Sequence, residues 1–523
     1  MSRAFACCLL ALSAFASCTD NQADTPSQTA RPVFKVDSSL IAMTASDTTV
    51  EWGQHVLEFY SGRNYVTAWF IGDSLIPQAI ELIAGIERAV KEGLDTTGWN
   101  IESLKHNLTE ANNIPAADHS LTESFFRFAL FEGLGVLRNK AKPNWDHPSR
   151  AMDIVACLDS ILDGAPLSIL SPQKKGFEKL RQSLRELHLV AQAGGWDTTF
   201  AISDKIEPGR QHQVIPQLRK RLNVPPRTDS LLYDSVLVDA VKTFQAHNGL
   251  HPDGIIAAST VAALNVSVRQ RMKQIMVNME RMKWLPDDMG GTRVVANLPE
   301  YAVRVYVVDT IALTMRSVIG TKRNKTPVFH DTIKFLVMRP YWNVPSSITN
   351  NEILPELAND PAYLAAHQYE VVYNGKVMPD SVDLISLGSS YRIRQRPGNH
   401  NALGTVKFMF PNDHWVYMHD TNAKNYFDRW PRAYSHGCVR IDRPTEFAEL
   451  LLRDQPQWTS ESIEAARTKG GEKMVNLKTN VPVWLLYLTC TRGEDGTVHF
   501  WDDVYGYDRE VWEMMNATKR PLN

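Results

Sequence analysis

A cysteine and an upstream histidine are the residues of this chain whose types and surroundings could perform chemistry. Cys438 lies in the hexapeptide SHGCVR (435–440), directly after a glycine and beside an imidazole and a guanidinium. A thiol becomes a nucleophile when it ionises, and neighbouring cations favour the thiolate. His419, in the tetrapeptide YMHD (417–420), could supply the base that such a nucleophile requires. The two segments predict covalent acyl transfer by a Cys–His pair.

The alternation of side chains along a strand selects this histidine. Residues 415–419 are predicted to form a strand, in which successive side chains point to opposite faces of the sheet. Val416 and Met418 can pack into a core, which leaves Tyr417 and His419 facing a cleft. The sequence therefore predicts that His419 faces the same space as the nucleophile.

The glycine before the cysteine predicts how negative charge would be stabilised. Glycine allows a tight backbone turn, so the N–H groups of His436, Gly437 and Cys438 could converge on one oxyanion. His419 would accept the thiol proton and return it to a leaving amine. The group that orients His419 stays unassigned, although the carbonyl of Asp420 is a better candidate than its carboxylate, which points to the other strand face.

The remaining polar residues near the motif favour substrate contact over metal binding. Arg440 could support the thiolate, hold a substrate carboxylate or make an ordinary structural ion pair. His414 and His419 are an odd number of residues apart and would point in opposite directions, and no cysteine or carboxylate pair completes a zinc site. We expect neither a metal nor another cofactor.

The composition is that of a soluble globular protein with several domains. A chain of 523 residues exceeds the usual length of one domain, and 44% hydrophobic with 22% charged residues is ordinary. The 56 Lys and Arg residues nearly balance the 58 Asp and Glu residues. Since there is no basic excess, we expect no nucleic-acid partner.

The N-terminal segment predicts export. Residues 4–16 form an apolar run after Arg3, too short to span a bilayer but typical of a signal peptide. Cleavage could leave Ser17 as the new terminus, or Cys18 as the lipidated residue of a bacterial lipoprotein box, and we favour Cys18. The cysteines outside this segment are widely spaced and predict no disulfide framework. Of these, Cys157 and Cys490 are expected to be small core residues.

The patterns along the chain predict a multidomain α+β protein. Helical periodicity dominates up to residue 206, and a period of two begins near residue 294. We predict a signal peptide (1–18), a flexible tether (19–31), a helical scaffold domain (32–206), a small three-helix module (207–266), a linker helix (267–290), a mainly β catalytic domain (291–510) with a cap insertion (350–390), and a C-terminal tail (511–523).

Two helical segments carry further expectations. Residues 214–264 resemble the peptidoglycan-binding type 1 module, through the runs AVKTFQ (240–245) and TVAAL (260–264) and the turns Gly249-Leu250 and Asp253-Gly254. The same apolar residues would form a small core in any case, so glycan binding by this copy stays open. In the next helix, one apolar stripe predicts packing between domains. Its members are Val268, Met272, Ile275, Met279 and Met282.

The catalytic segments resemble the YkuD-type L,D-transpeptidases, and in particular their YcbB-like branch. The similarity rests on His419, SHGCVR (435–440), YWNVP (341–345), NALG (401–404), YMHD (417–420) and residues 484–503. The order of signal, helical scaffold, peptidoglycan-binding module and catalytic domain with an inserted cap is also similar. The resemblance implies a mainly β L,D-transpeptidase domain.

The resemblance also implies a reaction. Cys438 would attack the carbonyl of the third residue of a peptidoglycan stem, a diamino acid such as meso-diaminopimelate, and D-alanine would leave as a thioester forms. The side-chain amine of an acceptor stem would then join two third-position residues. Carbapenems are expected to acylate Cys438. Some members of the branch have serine where His436 stands, so an essential role of that side chain is in doubt. The substrate-binding residues implied are Tyr417, Ser435, Arg440, Asn401 and Trp430.

Several alternatives remain at this stage. Water as the acceptor would make an L,D-carboxypeptidase or a crosslink hydrolase, and a protein lysine would attach a protein to the wall. A general cysteine protease is disfavoured by the wall-binding module, and a non-catalytic wall-binding scaffold by the intact Cys438 and His419. The expected partners are stem peptides, glycan and a lipid anchor at the outer membrane or elsewhere in the cell envelope. The expected location is the periplasm of a Gram-negative envelope.

Overall fold

A computed structural model describes most of the chain after the predicted leader. It covers residues 33–47, 51–91, 113–138, 142, 144–173, 175–379, 382, 384–387, 390–493 and 496–517. The predicted signal peptide, the lipidation site at Cys18 and the tether therefore lie outside the described residues. Within the described part of the chain, no helix combines the length and apolarity that crossing a membrane would require.

The first described unit is helical and buries a large aromatic core. Trp69, Phe125 and Phe126 are fully buried there, and the Asp118 carboxylate accepts hydrogen bonds from Tyr60 Oη (2.6 Å) and the backbone N–H of Trp69 (2.7 Å). Cys157 is partly buried against this core. Burying a carboxylate costs free energy unless it is hydrogen-bonded. These donors therefore stabilise the buried Asp118 and connect the segments around Tyr60 and Trp69 to the helix that carries it. The elements are α1 (Ser38–Ser46), α2 (Gly53–Gly62), a hairpin of β1 (Phe70–Ile71) and β2 (Ser74–Leu75), α3 (Pro77–Lys91), α4 (Ile114–Ala129), a π-helical turn (Leu130–Leu134), α5 (Ile154–Leu162), a 3-10 turn (Leu167–Leu170) and α6 (Lys175–Gln192).

Three short helices form the predicted module. They are α7 (Ile215–Arg221), α8 (Ser235–His247) and α9 (Ala258–Leu264). Asp234 caps α8 by accepting the N–H of Leu237 (3.0 Å), and the Gln245 side chain accepts the N–H of Gly254 (2.8 Å). Gly254 has a φ of +75°, which favours glycine, so the predicted Asp-Gly turn is present. The module has its own hydrophobic core, which includes Val241 and Leu264.

A central helix, α10 (Val268–Trp284), joins the helical unit to the β domain. It begins with a capping box, in which Ser267 and Gln270 exchange side-chain and backbone hydrogen bonds. The predicted apolar stripe is confirmed as packing, because Ile275 and Met279 are buried in the core of the helical unit. Charged residues of α10 are buried as well, so this helix contacts the units on both of its sides.

The chain after residue 290 is mainly β and matches the strands predicted between residues 294 and 319. Its strands are β3 (Thr292–Asn297), β4 (Ala302–Val307), β5 (Thr310–Gly320), β6 (His330–Met338), β7 (Trp342–Asn343), β8 (Tyr369–Tyr373), β9 (Lys376–Val377), β10 (Tyr391–Gln395), β11 (Val406–Met409), β12 (Met418–His419), β13 (Ala433–Ser435), β14 (Val439–Ile441), β15 (Lys473–Leu486), β16 (Cys490–Arg492) and β17 (Val498–Phe500). Its helices are α11 (Ser346–Ile348), α12 (Leu354–Asn359), α13 (Tyr363–Ala366), α14 (Pro444–Leu452), α15 (Ser460–Thr468) and α16 (Tyr507–Ala517), with a π-helical turn at Thr349–Ile353 and 3-10 turns at Leu298–Glu300, Ile385–Leu387 and Lys424–Asp428.

Eight of these strands close into a barrel. The order is β5-β14-β12-β11-β6-β15-β3-β4, and β4 pairs with β5 to complete the ring, while β13 pairs with the last residues of β5, beyond the end of β4. Inward side chains such as Leu313, Met315 and Ile319 of β5 fill the interior, and the alternate residues face outward. The outer face of β12 and β14 carries the residues of interest for chemistry.

One predicted strand is shorter than expected. The strand predicted at 415–419 is confined to Met418–His419, because Trp415 lies in a turn with a φ of +57° and is 86% exposed. Asp442, just before α14, accepts the N–H of Arg316 (2.9 Å) and pairs with Arg316 Nε (2.7 Å). At the end of the domain, residues 481–486 belong to β15 in the barrel, and β16 and β17 form a separate hairpin.

A small subdomain interrupts the barrel where the cap was predicted. Its four-stranded sheet has the order β7-β10-β8-β9, so it uses residues on both sides of the predicted 350–390 insertion. It has a separate hydrophobic cluster around Ile353, Tyr369 and Ile393. We refer to residues 342–395 as the cap.

Replacing Arg281 by alanine should destabilise the protein strongly. The side chains of Arg281 and Asp508 are 2% and 17% exposed and form an ion pair between α10 and α16. Removing one partner of a buried pair typically costs about 3–5 kcal/mol. Thermal and urea unfolding of Arg281→Ala should show this loss, whereas Arg509→Ala, which removes an exposed pair with Glu513, should change stability little. Equal stability of both variants would show that the buried pair is dispensable.

Candidate active site

Two short parallel strands place four functional side chains on one outer face of the barrel. Met418 of β12 pairs with Val439 of β14, and His419 pairs with Arg440. Met418 and Val439 are buried in the barrel core, so the residues on either side of them face outward. By the same register Tyr417 lies opposite the residue before Val439, which is Cys438. Tyr417, His419, Cys438 and Arg440 therefore share one face.

His419 is held so that one ring nitrogen remains for proton transfer. Its Nδ1 is in hydrogen-bond contact with the Asp420 carbonyl, and since a carbonyl can only accept, Nδ1 carries the proton. This confirms the Asp420 carbonyl as the orienting group. Burial, with Arg440 adding to it, lowers the pKa of His419 to about 3. The imidazole is therefore neutral, with Nε2 able to accept a proton.

The Asp420 side chain fixes the carbonyl that orients the histidine. Its carboxylate accepts the N–H and the hydroxyl of Thr405 (both 2.9 Å) and the N–H of Thr421 (2.7 Å), and it pairs with Lys424. A side chain on Gly404, where φ is +60°, would come within 2.4 Å of this carboxylate. The segment 404–405 thus supports His419 indirectly, through Asp420. The sequence did not indicate this role.

The turn before Cys438 differs from the prediction in its hydrogen bonds. Ser435 Oγ donates to the Cys438 carbonyl (2.6 Å) and accepts the N–H of Gly437 (3.1 Å). Ser435 is 2% exposed, so it shapes the turn and does not face a substrate. Because the Gly437 N–H is already bonded, the backbone donors left for an oxyanion are those of His436 and Cys438. Gly437 has a φ of +119°, which explains why glycine stands here.

Thr326 and Tyr505, which are distant in sequence, stabilise this turn through hydrogen bonds. Thr326 Oγ1 donates to the Gly437 carbonyl (2.7 Å), and the Thr326 N–H donates to Tyr505 Oη (3.1 Å). The Tyr505 hydroxyl in turn donates to the Gly320 carbonyl (2.8 Å). A carbonyl pinned on one side of a peptide plane directs the next N–H, that of Cys438, to the opposite side. Neither residue carried any local sequence signal.

The cysteine is neutral at rest. Burial of the thiol raises the pKa of Cys438 to about 11, although the Tyr417 N–H and hydroxyl and the Arg440 guanidinium act in the opposite direction. Burial also raises the pKa of the Tyr417 hydroxyl, with the nearby Cys438 adding to the effect. The neighbouring cation favours the thiolate, as expected, but it does not outweigh desolvation, so the thiol keeps the proton that His419 is expected to accept. Among the described cysteines, Cys157, Cys438 and Cys490 are all free thiols, and Cys490 is 1% exposed, as predicted.

Arg440 is a cation in the cleft with spare hydrogen-bonding capacity. Its guanidinium lies 5.8 Å from the centre of the Tyr426 ring, and its buried Nε has no hydrogen-bond partner. Within the described part of the chain, no carboxylate lies within salt-bridge distance of it, so the alternative of a structural ion pair is not realised. The donor set of Arg440 suits a planar carboxylate from a ligand.

Two residues predicted to bind substrate lie elsewhere. Asn401 is fully buried, and its amide donates to the carbonyls of Pro340 (3.1 Å) and Arg396 (2.9 Å), so it fastens the base of the cap. Trp430 packs edge-on against Tyr301, with ring centres 5.3 Å apart. Its surroundings are cavities at the side of the barrel.

The cap touches the catalytic turn through one polar contact. His436 Nε2 lies 2.7 Å from Glu352 Oε1, and both side chains are about half exposed. Glu352 belongs to the π-helical turn of the cap, at the site's outer edge. The His436 side chain therefore contacts the cap and lies outside the group of reacting side chains.

His414 does not lie with the four side chains on the β12–β14 face. Its ring packs 4.8 Å from that of Phe329, and its Nε2 is 3.9 Å from Asp146 Oδ2. Across the residues that the structure describes, no group of three or more His, Cys, Asp or Glu side chains could hold a metal ion. The chemistry available to the described site is that of Cys438, His419 and their polar neighbours.

Three segments of the chain match known domain families. Residues 291–493 match the YkuD family, described as an L,D-transpeptidase catalytic domain, and contain the whole array of Tyr417, His419, Cys438 and Arg440. The chain carries a YkuD L,D-transpeptidase domain. Residues 54–184 match a scaffold domain, and residues 217–264 match a "Putative peptidoglycan binding domain". These matches confirm the predicted multidomain α+β architecture; the finer assignment to the YcbB-like branch stays a prediction.

One curated protein and two solved structures are similar to parts of the chain. A Haemophilus influenzae protein named "Putative L,D-transpeptidase" is 30% identical over 287 residues, which cover 54% of this chain and 57% of that protein. The chain thus spans little more than half the length of this curated relative. The solved L,D-transpeptidase from Mycobacterium smegmatis is 13% identical, with a TM-score of 0.19 over 38% of this chain and 58% of that one. The one from Xylanimonas cellulosilytica is also 13% identical, with a TM-score of 0.17 over 55% and 100%. Such low TM-scores carry no argument about the fold.

Alkylation of Cys438 should be slow at neutral pH and accelerate far into the alkaline range. With a pKa of about 11, the thiol is ionised much less at pH 8 than a free cysteine, whose pKa is about 8.5. The iodoacetamide rate constant, followed by mass spectrometry of the Cys438 peptide, should keep rising to about pH 11. N-acetylcysteine, the free-thiol reference, should level off near pH 9.

Removing the cation should slow the alkylation further. Since Arg440 lowers the pKa of Cys438, Arg440→Ala should move the profile to higher pH. Arg443→Ala is the matched control, because Arg443 is half exposed and paired with Glu446. A plateau below pH 9 in the wild type would contradict the neutral resting state.

Proposed function

We propose that this protein is a peptidoglycan L,D-transpeptidase that crosslinks the third-position diamino acids of two stem peptides. The proposal rests above all on one observation: His419, with Nδ1 committed to the Asp420 carbonyl, shares its strand face with Cys438. A base and a nucleophile lie side by side on neighbouring strands, and the turn that leads to Cys438 has free backbone N–H groups. Acyl transfer needs this arrangement.

In the first half of the reaction, an amide bond becomes a thioester. Cys438 Sγ attacks the carbonyl carbon of the third stem residue, and its proton passes to Nε2 of His419. The backbone N–H groups of His436 and Cys438 stabilise the oxyanion. The C–N bond to D-alanine then breaks, and the proton on His419 goes to the leaving amine. Because thiol and imidazole are both neutral at rest, proton transfer accompanies the attack.

In the second half, the acceptor restores the enzyme. The side-chain amine of a second stem attacks the thioester carbon, and His419 takes a proton from that amine. The C–S bond breaks, and the proton returns to the sulfur. Water in place of the amine would give hydrolysis, and a protein lysine would give wall attachment.

Arg440 would bind a carboxylate of the stem beside the thioester. Its unpartnered Nε and the lack of a protein carboxylate near it, within the described residues, support this role. Tyr417 would line the same face and donate its hydroxyl near the sulfur.

The proposal includes the cell envelope as the location. The apolar run at residues 4–16 and the module at residues 217–264 support export to the periplasm and contact with the wall. Lipidation at Cys18 would anchor the enzyme to a membrane of the envelope. Carbapenems, as acylating agents, would be attacked by the same thiol of Cys438.

Replacing Cys438 by alanine should abolish crosslinking and leave binding to purified sacculi intact. The wild type, incubated with disaccharide-tetrapeptides, should give dimers that lack one alanine, as measured by mass spectrometry. A carbapenem should add its mass to the wild type and not to Cys438→Ala. Crosslinking by the alanine variant would refute the nucleophile, and tripeptides as the sole product of the wild type would make the enzyme a hydrolase.

The anchor has its own test. Protein purified from membranes of a Gram-negative host should carry two or three acyl chains on Cys18, detected as a mass increase of the N-terminal peptide. Cys18→Ser should release it into the soluble periplasmic fraction. An unmodified terminus at Ser17 would exclude the lipoprotein.

A further inference from the structure

Two adjoining cavities lie between the wall-binding module and the side of the catalytic barrel. The first, about 250 Å³, is bounded on the module side by Leu250, His251 and Pro252 and on the barrel side by residues that include Trp430. The second, about 290 Å³, extends from Trp430 to Trp501. Both cavities share Arg316, Trp430 and Arg432 and so form one groove. Each volume is close to the roughly 300 Å³ at which small-ligand pockets begin.

The module is fixed against the barrel next to this groove. A side chain on Gly249 would come within 2.9 Å of the Trp501 ring, so the backbone approaches that ring closely. Arg271 Nη2 donates to Asn248 Oδ1 (2.6 Å), and its guanidinium lies 4.4 Å above the Phe500 ring. Since these contacts come from α10, from β17 and from Trp501 directly after it, the loop 250–252 is held in place as one wall of the groove.

Most charged side chains of the groove are paired within it. Arg316 pairs with Asp428 (2.9 Å) and Asp442 (2.7 Å), and Arg304 pairs with Glu300. Arg432 donates to the backbone carbonyls of Ser317 and Tyr301 (both 3.1 Å) and keeps its charge. With Arg429, four arginines line the groove against three carboxylates, so it is close to neutral with an excess of one positive charge. It offers polar edges for hydroxyl and amide groups.

Aromatic rings supply the apolar part of the same groove. Trp430 lines both cavities, with the Arg432 guanidinium 4.7 Å from its ring centre. Trp501 lines the far end and is stacked on the His499 ring. Tryptophan presents a flat apolar face together with a polar edge, which suits a ring with apolar faces and a polar rim. An uncharged N-acetylated sugar has both features.

The groove lies one short peptide length away from the nucleophile. Arg316 is opposite Asp442 on the outer face of β5 and β14, and Cys438, Arg440 and Asp442 follow one another at alternate positions of that face. Four extended residues span about 13 Å. A stem attacked at its third residue reaches back to its sugar through three residues and a lactyl group, which together span about 13 Å when extended.

We infer that this groove binds the glycan of the donor strand, so that the module and the catalytic domain together hold one saccharide while its stem runs along β14 past Arg440 to Cys438. The inference rests on the proposed function for the identity of the stem. The saccharide site is composite: Trp430 and Arg432 of the barrel form its floor, and the loop 250–252 of the module forms its wall. Trp430 thereby contacts the sugar rather than the reacting peptide.

The test compares a free tetrapeptide with the same tetrapeptide carried on its disaccharide. The wild type should show a kcat/KM at least about tenfold higher for the disaccharide form, the discrimination expected of one or two apolar contacts, and the gain should lie in KM. Trp430→Ala and, because that change also touches the barrel core, the exposed His251→Ala should each bring the ratio close to one. Val236→Ser, an exposed change on α8, is the matched control and should keep the ratio.

Equal kcat/KM values for both substrates in the wild type would overturn the inference, as would a preference that survives both groove variants. If the wild type processes neither substrate, the proposed function fails, and the groove is then judged by calorimetry with a tetramer of β-1,4-linked N-acetylglucosamine. Binding by the wild type that both variants weaken at least about tenfold would support the site. No binding, or equal binding by all three proteins, would reject it.

Discussion

The parallel pairing of β12 with β14 is the constraint on which the site depends. These strands have two and three residues, and alone they would not stay paired. They persist because Met418, Val439 and Ile441 are buried in a barrel that closes on itself. A shift by one residue would turn Cys438 into the core and expose Val439, so burial of the inner face fixes the chemistry of the outer face.

The same burial sets the electrostatic state of the site. Desolvation pushes the pKa of the thiol up and that of the imidazole down, and each shift favours the neutral form. A charged thiolate–imidazolium pair would need more compensation than Arg440 and Tyr417 provide. The site therefore depends on directional hydrogen bonds around the turn, from Ser435 and Thr326, rather than on a preformed ion pair.

The sequence predicted the features that depend on local geometry. It did not predict those that depend on contacts between residues distant in the chain. Alternation along a strand selected His419 and paired it with Tyr417, because that alternation holds even in a very short strand. By contrast, Ser435 and Asn401 look like surface polar residues, yet their partners make them structural. Thr326 bonds a carbonyl 111 residues away, and no local pattern distinguishes such a threonine. Trp430 packs on the barrel, but the cavity it lines is closed by residues 250–252 of the module, and only the tertiary structure reveals that wall.

The buried charged residues of α10 connect the helical unit to the catalytic unit, so the two are not independent domains. Glu280 accepts the N–H of Leu137 (2.9 Å) and Lys283 donates to the Phe131 carbonyl (2.8 Å), while Arg281 contacts α16 on the other side. A chain cut before the barrel would strip the helix from the catalytic unit and leave Asp508 facing solvent or an unfilled space. Family borders drawn at residue 291 are thus not borders of autonomous folding. Exchanging the catalytic domain at that border would therefore also break the buried contacts that α10 makes with both units.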